Sequence, residues 1–266
     1  MKFYLSLMAG LLYCAGWIKI LLGYIRHKNK LKHLGQMTAI LGFGLHTLIL
    51  GLSMQKSGTF MGQNYFELLS WTILLLSLLI WIGKKLNFVF FLGTSMSFFF
   101  YTSGFLLSYK LKHSIAHQTI NFWFSLHIFS LSLSLSLLAL AFGSSLIYLY
   151  MEHKIKTKSK LPSFSREMPS LTTCDRLNHL AIVWGFPIFS FSLLSGFIWA
   201  SLVWAKLFKW DLKEILALVI WSFFAYLFHQ RLALGWKGKK IAKLTIFIFI
   251  LFLVSFIGIS YLKNLT

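Results

Sequence analysis

Three of the nine histidines, His46, His127 and His229, fall inside long apolar runs. An ionisable ring within a membrane span is a functional candidate once a structural hydrogen bond has been weighed as the alternative. For any one of the three alone, the hydrogen bond is the simpler explanation. Their number, together with a nearby aromatic segment, shifts the balance. That segment is Trp204-Ala205-Lys206-Leu207-Phe208-Lys209-Trp210-Asp211. Imidazole is a strong axial ligand for the iron of a flat, metal-centred group such as haem, and imidazoles from two helices can hold the iron from both faces. Indole and phenyl faces can stack on the macrocycle, and Lys206 or Lys209 can meet its carboxylates. The segment also has a plainer reading. Tryptophan belongs at bilayer interfaces, and Asp211 followed by Glu214 is an N-cap and capping-box pair that would start a helix. The residues alone leave both readings open.

The other histidines carry weaker signals. His27, His33 and His153 sit in basic loops, and His179 sits near the start of a later apolar run, where a solvated or interfacial role suffices. His113 and His117 have the i, i+4 spacing of a metal pair on a helix, but no third ligand accompanies them.

The elements that must position these residues follow from composition. A chain with 58% hydrophobic residues, 12% charged residues and a mean hydropathy of +0.73 does not describe a water-soluble core with a polar surface. Eight apolar runs, at about 3 to 24, 36 to 54, 66 to 83, 87 to 109, 121 to 150, 178 to 203, 213 to 231 and 243 to 262, predict an all-α polytopic membrane protein. Each is long enough to cross roughly 30 Å of hydrocarbon as a helix. The runs are continuous rather than alternating, which excludes a β-barrel. A single integral membrane domain over 1–266 is expected.

The formal charge of +20 raises the possibility of a nucleic-acid partner, and the positions of the basic residues answer it. Seventeen of the 26 lysines and arginines fall in the loops after runs one, three, five and seven, including Arg26, Lys84, Lys154 and Lys237. Eight fall in the other loops and termini, and Lys19 lies within the first run, where its stem can snorkel toward the near interface. The positive-inside rule then puts both termini on the outer side, and topology accounts for the charge without nucleic acid. The N-terminal run lacks a small-residue cleavage site and is expected to remain as the first helix. Cys14 and Cys174 are far apart, with no C-x-x-C pair to suggest a disulfide or covalent haem attachment to this chain. The Ser-Leu alternation from Ser130 to Leu137 reads as packing, with hydroxyls bonding to helix carbonyls or neighbouring helices. No P-loop or G-x-G-x-x-G pattern points to a nucleotide.

Several stretches together resemble the tryptophan-rich (WWD) CcsA or ResC type of cytochrome c assembly protein. They are Gly44-Leu45-His46-Thr47-Leu48, Asn64 with Glu67, Leu126-His127-Ile128, Pro169-Ser170-Leu171 and Asp175-Arg176-Leu177. Further along come Trp184-Gly185-Phe186-Pro187, Gly196-Phe197-Ile198-Trp199-Ala200, the segment Trp204 to Glu214, and Phe228-His229-Gln230-Arg231-Leu232. The resemblance implies a component that carries b-type haem across a bacterial inner membrane. In it, residues matching His46 and His229 receive haem near the cytoplasmic side, and His127 belongs to an outer pair. The aromatic surface matching Trp204, Phe208, Trp210 and Asp211 holds the haem while apocytochrome c cysteines add to its vinyl groups. A ResB-like or CcsB-like partner subunit is implied as well, so the chain would form part of a cytochrome c synthase.

The sequence departs from the family's pattern at four places. Ala205 stands for a glycine, Phe208 for the middle tryptophan and Leu212 for a proline, and the last residues, Ile259 to Thr266, include no histidine to complete the outer pair. The second outer position is then open, filled by another residue such as His113 or His117, or supplied by a partner. The related HemX-like proteins offer the alternative implication, a membrane regulator or scaffold of haem biosynthesis without synthase activity.

Overall fold

In a computed structural model, the described residues are 2–57, 65–84, 86–110, 122–158, 168–205, 208 and 210–262. They form eight helices and, among themselves, no strand: α1 (Lys2–Ile25), α2 (Asn29–Ser57), α3 (Tyr65–Lys84), α4 (Asn87–Lys110), α5 (Phe122–Lys156), α6 (Leu171–Trp204), α7 (Leu212–Leu232) and α8 (Lys239–Leu262). Seven of them, α1 to α7, are long and apolar enough to cross a membrane. α8 is 24 residues long and carries the apolar run LTIFIFILFLVSF. The all-helical membrane architecture expected from the sequence is what the chain adopts. Leu41, Leu48, Leu194 and Val254 are among the large apolar side chains left exposed, as a chain solvated by lipid requires.

Several helices overrun the apolar runs that announce them. α2 begins at Asn29 rather than about 36, α5 continues to Lys156, and α6 begins at Leu171 rather than about 178. At about 1.5 Å per residue, the 35 residues of α5 span about 52 Å, well beyond the hydrocarbon. Hydrophobicity marks only the part of a helix that faces lipid tails. Its polar extensions are set by caps and polar contacts, such as Ser170, whose side chain accepts from the Thr173 N–H at the start of α6.

The chain divides into two compact units, Met1–Ile120 with Lys160–Pro169, and Asn121–Ser159 with Ser170–Thr266. In the first, α1 and α2 form a hairpin closed by small residues. A Cβ on Gly35 would lie 2.7 Å from the backbone nitrogen of Ile20, and one on Gly23 would lie 2.8 Å from that of Lys32. The two backbones therefore touch, the form of helix contact that small residues permit in lipid. Lys19 reaches across this pair to the Thr38 hydroxyl at 3.1 Å. α3 and α4 are joined by a reciprocal serine pair, in which Ser70 Oγ donates to the Ser97 carbonyl at 2.9 Å and Ser97 Oγ to the Ser70 carbonyl at 2.7 Å. Trp71 of α3 donates to Thr47 of α2 at 2.9 Å, and Tyr101 of α4 donates to the Ser6 carbonyl of α1 at 2.9 Å.

In the second unit, α5 and α6 form the central pair, and serines hold it along its length. Ser134 donates to the Gly185 carbonyl at 2.8 Å, Ser144 to the Cys174 carbonyl at 3.0 Å, and Ser145 exchanges hydrogen bonds with Asn178. Ser130 and Ser136 bond back to carbonyls four residues earlier. The Ser-Leu alternation is packing, as its residues suggested. α7 docks on α6 through Phe224 against Phe186 and Phe189 and through Trp221 Nε1 donating to Ser190 Oγ at 2.9 Å. α8 docks on α5 through the stacked rings of Phe142 and Phe249.

The close approach at Gly35 gives a direct test. Gly35→Leu should overpack the α1–α2 contact and destabilise it by about 1–3 kcal/mol, lowering the midpoint of unfolding of the detergent-purified protein. Gly51→Ala, in a helix interior where an added Cβ meets nothing within 4 Å, should not lower the midpoint.

Candidate functional site

His127 lies near the start of α5, and its ring is seated on α6. Nδ1 is 2.7 Å from the carbonyl oxygen of Ser192, and Ser192 Oγ donates to the His127 carbonyl at 3.0 Å. A carbonyl only accepts, so Nδ1 carries the proton and Nε2 of the neutral ring keeps its lone pair. One turn further along α6, Gly196 leaves the room the ring occupies. A Cβ there would lie 2.8 Å from Nδ1 and 3.0 Å from Cε1. A ligating histidine typically donates its other ring N–H to a carbonyl, and the His127 ring makes a bond of that kind.

The aromatic segment lies at the same end of the second unit. Trp199 packs on Phe124, three residues before His127, with centroids 4.9 Å apart, and on Trp204 at 5.1 Å. Phe208 packs on Phe197 at 5.8 Å and edge-on to Trp210 at 4.5 Å. Trp199 is buried, Trp204 and Phe208 are half-buried, and Trp210 is 74% exposed. Asp211 caps α7, its side chain accepting from the Glu214 N–H at 3.0 Å, while Glu214 Oε2 accepts from the Trp210 N–H at 2.9 Å. The N-cap read from the sequence is therefore formed, while the Glu214 carboxylate reaches back to Trp210, one residue before the N–H that a capping box would use. Ala205 ends α6 in the left-handed conformation, φ +52°. Glycine suits that position better, which is the physical sense of the glycine in the related pattern. Lys206 and Lys209 lie outside the described residues, as do Asn64, His113 and His117.

His229 lies toward the other end of α7, on an exposed face. The 18 residues that separate it from Asp211 amount to about 27 Å along the helix, so His127 and His229 do not share a site. Two residues on, Arg231 is held in a buried knot that the sequence did not announce. Its Nη1 and Nη2 donate to the two Asp175 carboxylate oxygens at 2.9 and 2.8 Å, Nε donates to His179 Nδ1 at 3.1 Å, and Nη1 also donates to the Trp236 carbonyl. The Gly238 N–H donates to Asp175 Oδ1 at 2.8 Å. Removing one partner from such a buried pair typically costs about 3–5 kcal/mol. His179 is thus a structural acceptor.

His46 belongs to the first unit and is 1% exposed. Its Nδ1 is 3.0 Å from the Tyr13 hydroxyl, and its ring stands edge-on to Tyr13 and to Tyr101. Nε2 is buried with no hydrogen-bond partner among the described residues. Sequence reasoning missed Tyr13, because a lone tyrosine 33 residues from its partner carries no local signal.

Among the described residues, no three His, Cys, Asp or Glu converge as a bare metal ion would require. His127 and His46 each stand as a single nitrogen donor whose other ring nitrogen is engaged. That chemistry fits a metal that brings its remaining ligands with it, as haem iron does.

The sequence is 36% identical over 88 residues to the cytochrome c biogenesis protein CcsA of Prochlorococcus marinus, covering 33% of this chain and 28% of that one. It is 32% identical over 108 residues to the CcsA of Pyropia yezoensis, covering 41% and 34%. It is 34% identical over 105 residues to the CcsA of Gloeothece citriformis, covering 39% and 32%. The matched part thus spans about a third of the length of these curated relatives. The sequence model of the family described as cytochrome C assembly protein matches residues 63–265; α1 and α2, with His46, precede that stretch. Because the match runs through all of α3 to α8 and takes in both the seat of His127 and the capped aromatic loop, the chain belongs to the cytochrome c assembly protein family.

Proposed function

We propose that this chain is the haem-handling subunit of cytochrome c biogenesis, carrying b-type haem across the bacterial inner membrane and presenting it for covalent attachment to apocytochrome c. The observation that supports this reading most is the seat of His127. A half-buried imidazole has its Nδ1–H committed to the Ser192 carbonyl and its Nε2 lone pair left for a metal, at the end of the unit that carries an exposed indole. Haem is the cargo, and it brings the vinyl groups across which cysteine S–H bonds add.

In this reading the chain's residues ligate, orient and exclude competing chemistry, while the reactive centre belongs to the cargo. His46 and His229 accept haem on the cytoplasmic side. His127 holds it on the outer side, where Trp204, Phe208 and Trp210 offer stacking faces and the Asp211 cap fixes where α7 begins. Lysine and arginine asymmetry supports this orientation, with both termini outside. A ResB-like or CcsB-like partner completes the synthase, and a second outer ligand comes from that partner or from another residue such as His113 or His117.

Three outcomes are expected. Purified protein should show stoichiometric b-type haem by absorption and pyridine haemochrome assay, lost in His46→Ala and in His229→Ala; a wild type unable to bind added haem would remove the basis of the delivery role. His127→Ala and Trp210→Ala should abolish haem attachment to a reporter apocytochrome c. Normal attachment in both would instead favour a membrane regulator of haem biosynthesis. Gly196→Ala, which drives a methyl into the His127 ring, should lower attachment roughly 10- to 100-fold, the usual effect of disturbing a ligand's outer shell.

A further inference from the structure

His46 of α2 is the most confined of the candidate ligands, and its ring is enclosed by side chains of α1 and α4. Tyr13 of α1 is fully buried, with its hydroxyl 3.0 Å from His46 Nδ1. Tyr101 of α4 stands edge-on to His46 at 4.8 Å and to Tyr13 at 5.4 Å, and its own hydroxyl is anchored on the Ser6 carbonyl. These contacts fix the plane of the imidazole and leave Nε2 as its one ring nitrogen without a partner among the described residues.

Among the described residues, neither neutral tautomer satisfies this ring. If the Tyr13 hydroxyl donates to Nδ1, the proton sits on Nε2 as a buried donor with no acceptor. If Nδ1–H donates to the Tyr13 oxygen, Nε2 is a buried lone pair with no donor. An unmet buried polar group is costly in either state. A metal at Nε2 resolves the conflict in one way only, with the proton on Nδ1 and the Tyr13 oxygen accepting it.

We infer that Tyr13 is a positioning residue for His46, selecting through its hydroxyl the Nδ1–H tautomer whose Nε2 binds haem iron. The inference rests on the reading of His46 as an axial ligand and adds a role for a residue outside the motif set. Accepting from Nδ1–H makes the imidazole a stronger donor, which favours ferric over ferrous iron and lowers the midpoint potential.

The test compares haem-loaded wild type with Tyr13→Phe and His46→Ala in detergent, titrating haem and measuring the midpoint potential. Tyr13→Phe removes one oxygen and keeps the ring that packs on Tyr101, so the core is preserved. The expected result is roughly 10- to 100-fold weaker haem binding and a higher midpoint potential in Tyr13→Phe, with haem lost in His46→Ala. Haem lost in His46→Ala, together with wild-type affinity and potential in Tyr13→Phe, overturns the inference alone. Weaker binding in Tyr13→Phe at an unchanged potential also overturns it, since a merely structural role would do the same. Haem retained in His46→Ala, or a wild type that binds none, overturns the ligand reading and the inference together.

Discussion

Within hydrocarbon each helix satisfies its own backbone, so helices gain little from hydrophobicity when they pair and must find close packing or side-chain hydrogen bonds instead. This chain uses both. Glycines bring α1 and α2 into backbone contact, and serines on α3 to α6 send hydroxyls to carbonyls of a neighbouring helix. The seat of His127 is a local instance of the same rule. Gly196 supplies the room and Ser192 the hydrogen bonds, so a device that packs helices also sets the tautomer of a ring. The chemistry available at that histidine depends on this closeness.

His127 and His46 meet the constraint differently. His127 is held by a carbonyl, which has no choice of role, and its proton is fixed by the backbone of another helix. His46 is held by a phenol, which can donate or accept, and its proton is left to the wider environment. Two imidazoles in one chain thus differ in how firmly their tautomer is fixed. A backbone acceptor fixes the assignment, whereas a hydroxyl, able to donate or accept, leaves it open.

Much of the architecture was legible because apolar runs of membrane length have few other interpretations. Helix ends were less legible. Asn178 and Asp175 are polar residues that look like loop, yet they lie within α6 and bond to partners on α5 and α7. The N-cap at Asp211 could be read because its spacing to Glu214 is local, and the packing role of the serine alternation because its period is regular. Tyr13 beside His46, and Asp175 beneath Arg231, could not be read. Each pair joins positions 33 or 56 residues apart, and no pattern within a helix encodes which tyrosine or aspartate will face which partner.

The Asp175 carboxylate accepts from the guanidinium near the end of α7 and from the N–H of Gly238, just before α8, while itself belonging to the opening turns of α6. One side chain thereby fastens three helices at a single point. Mechanically, α6, α7 and α8 are pinned together at one foot, and displacements that spread them grow with distance from the clamp. The parts of α6 and α7 farthest from the clamp are the tips where a left-handed alanine and a capped turn carry the exposed indole.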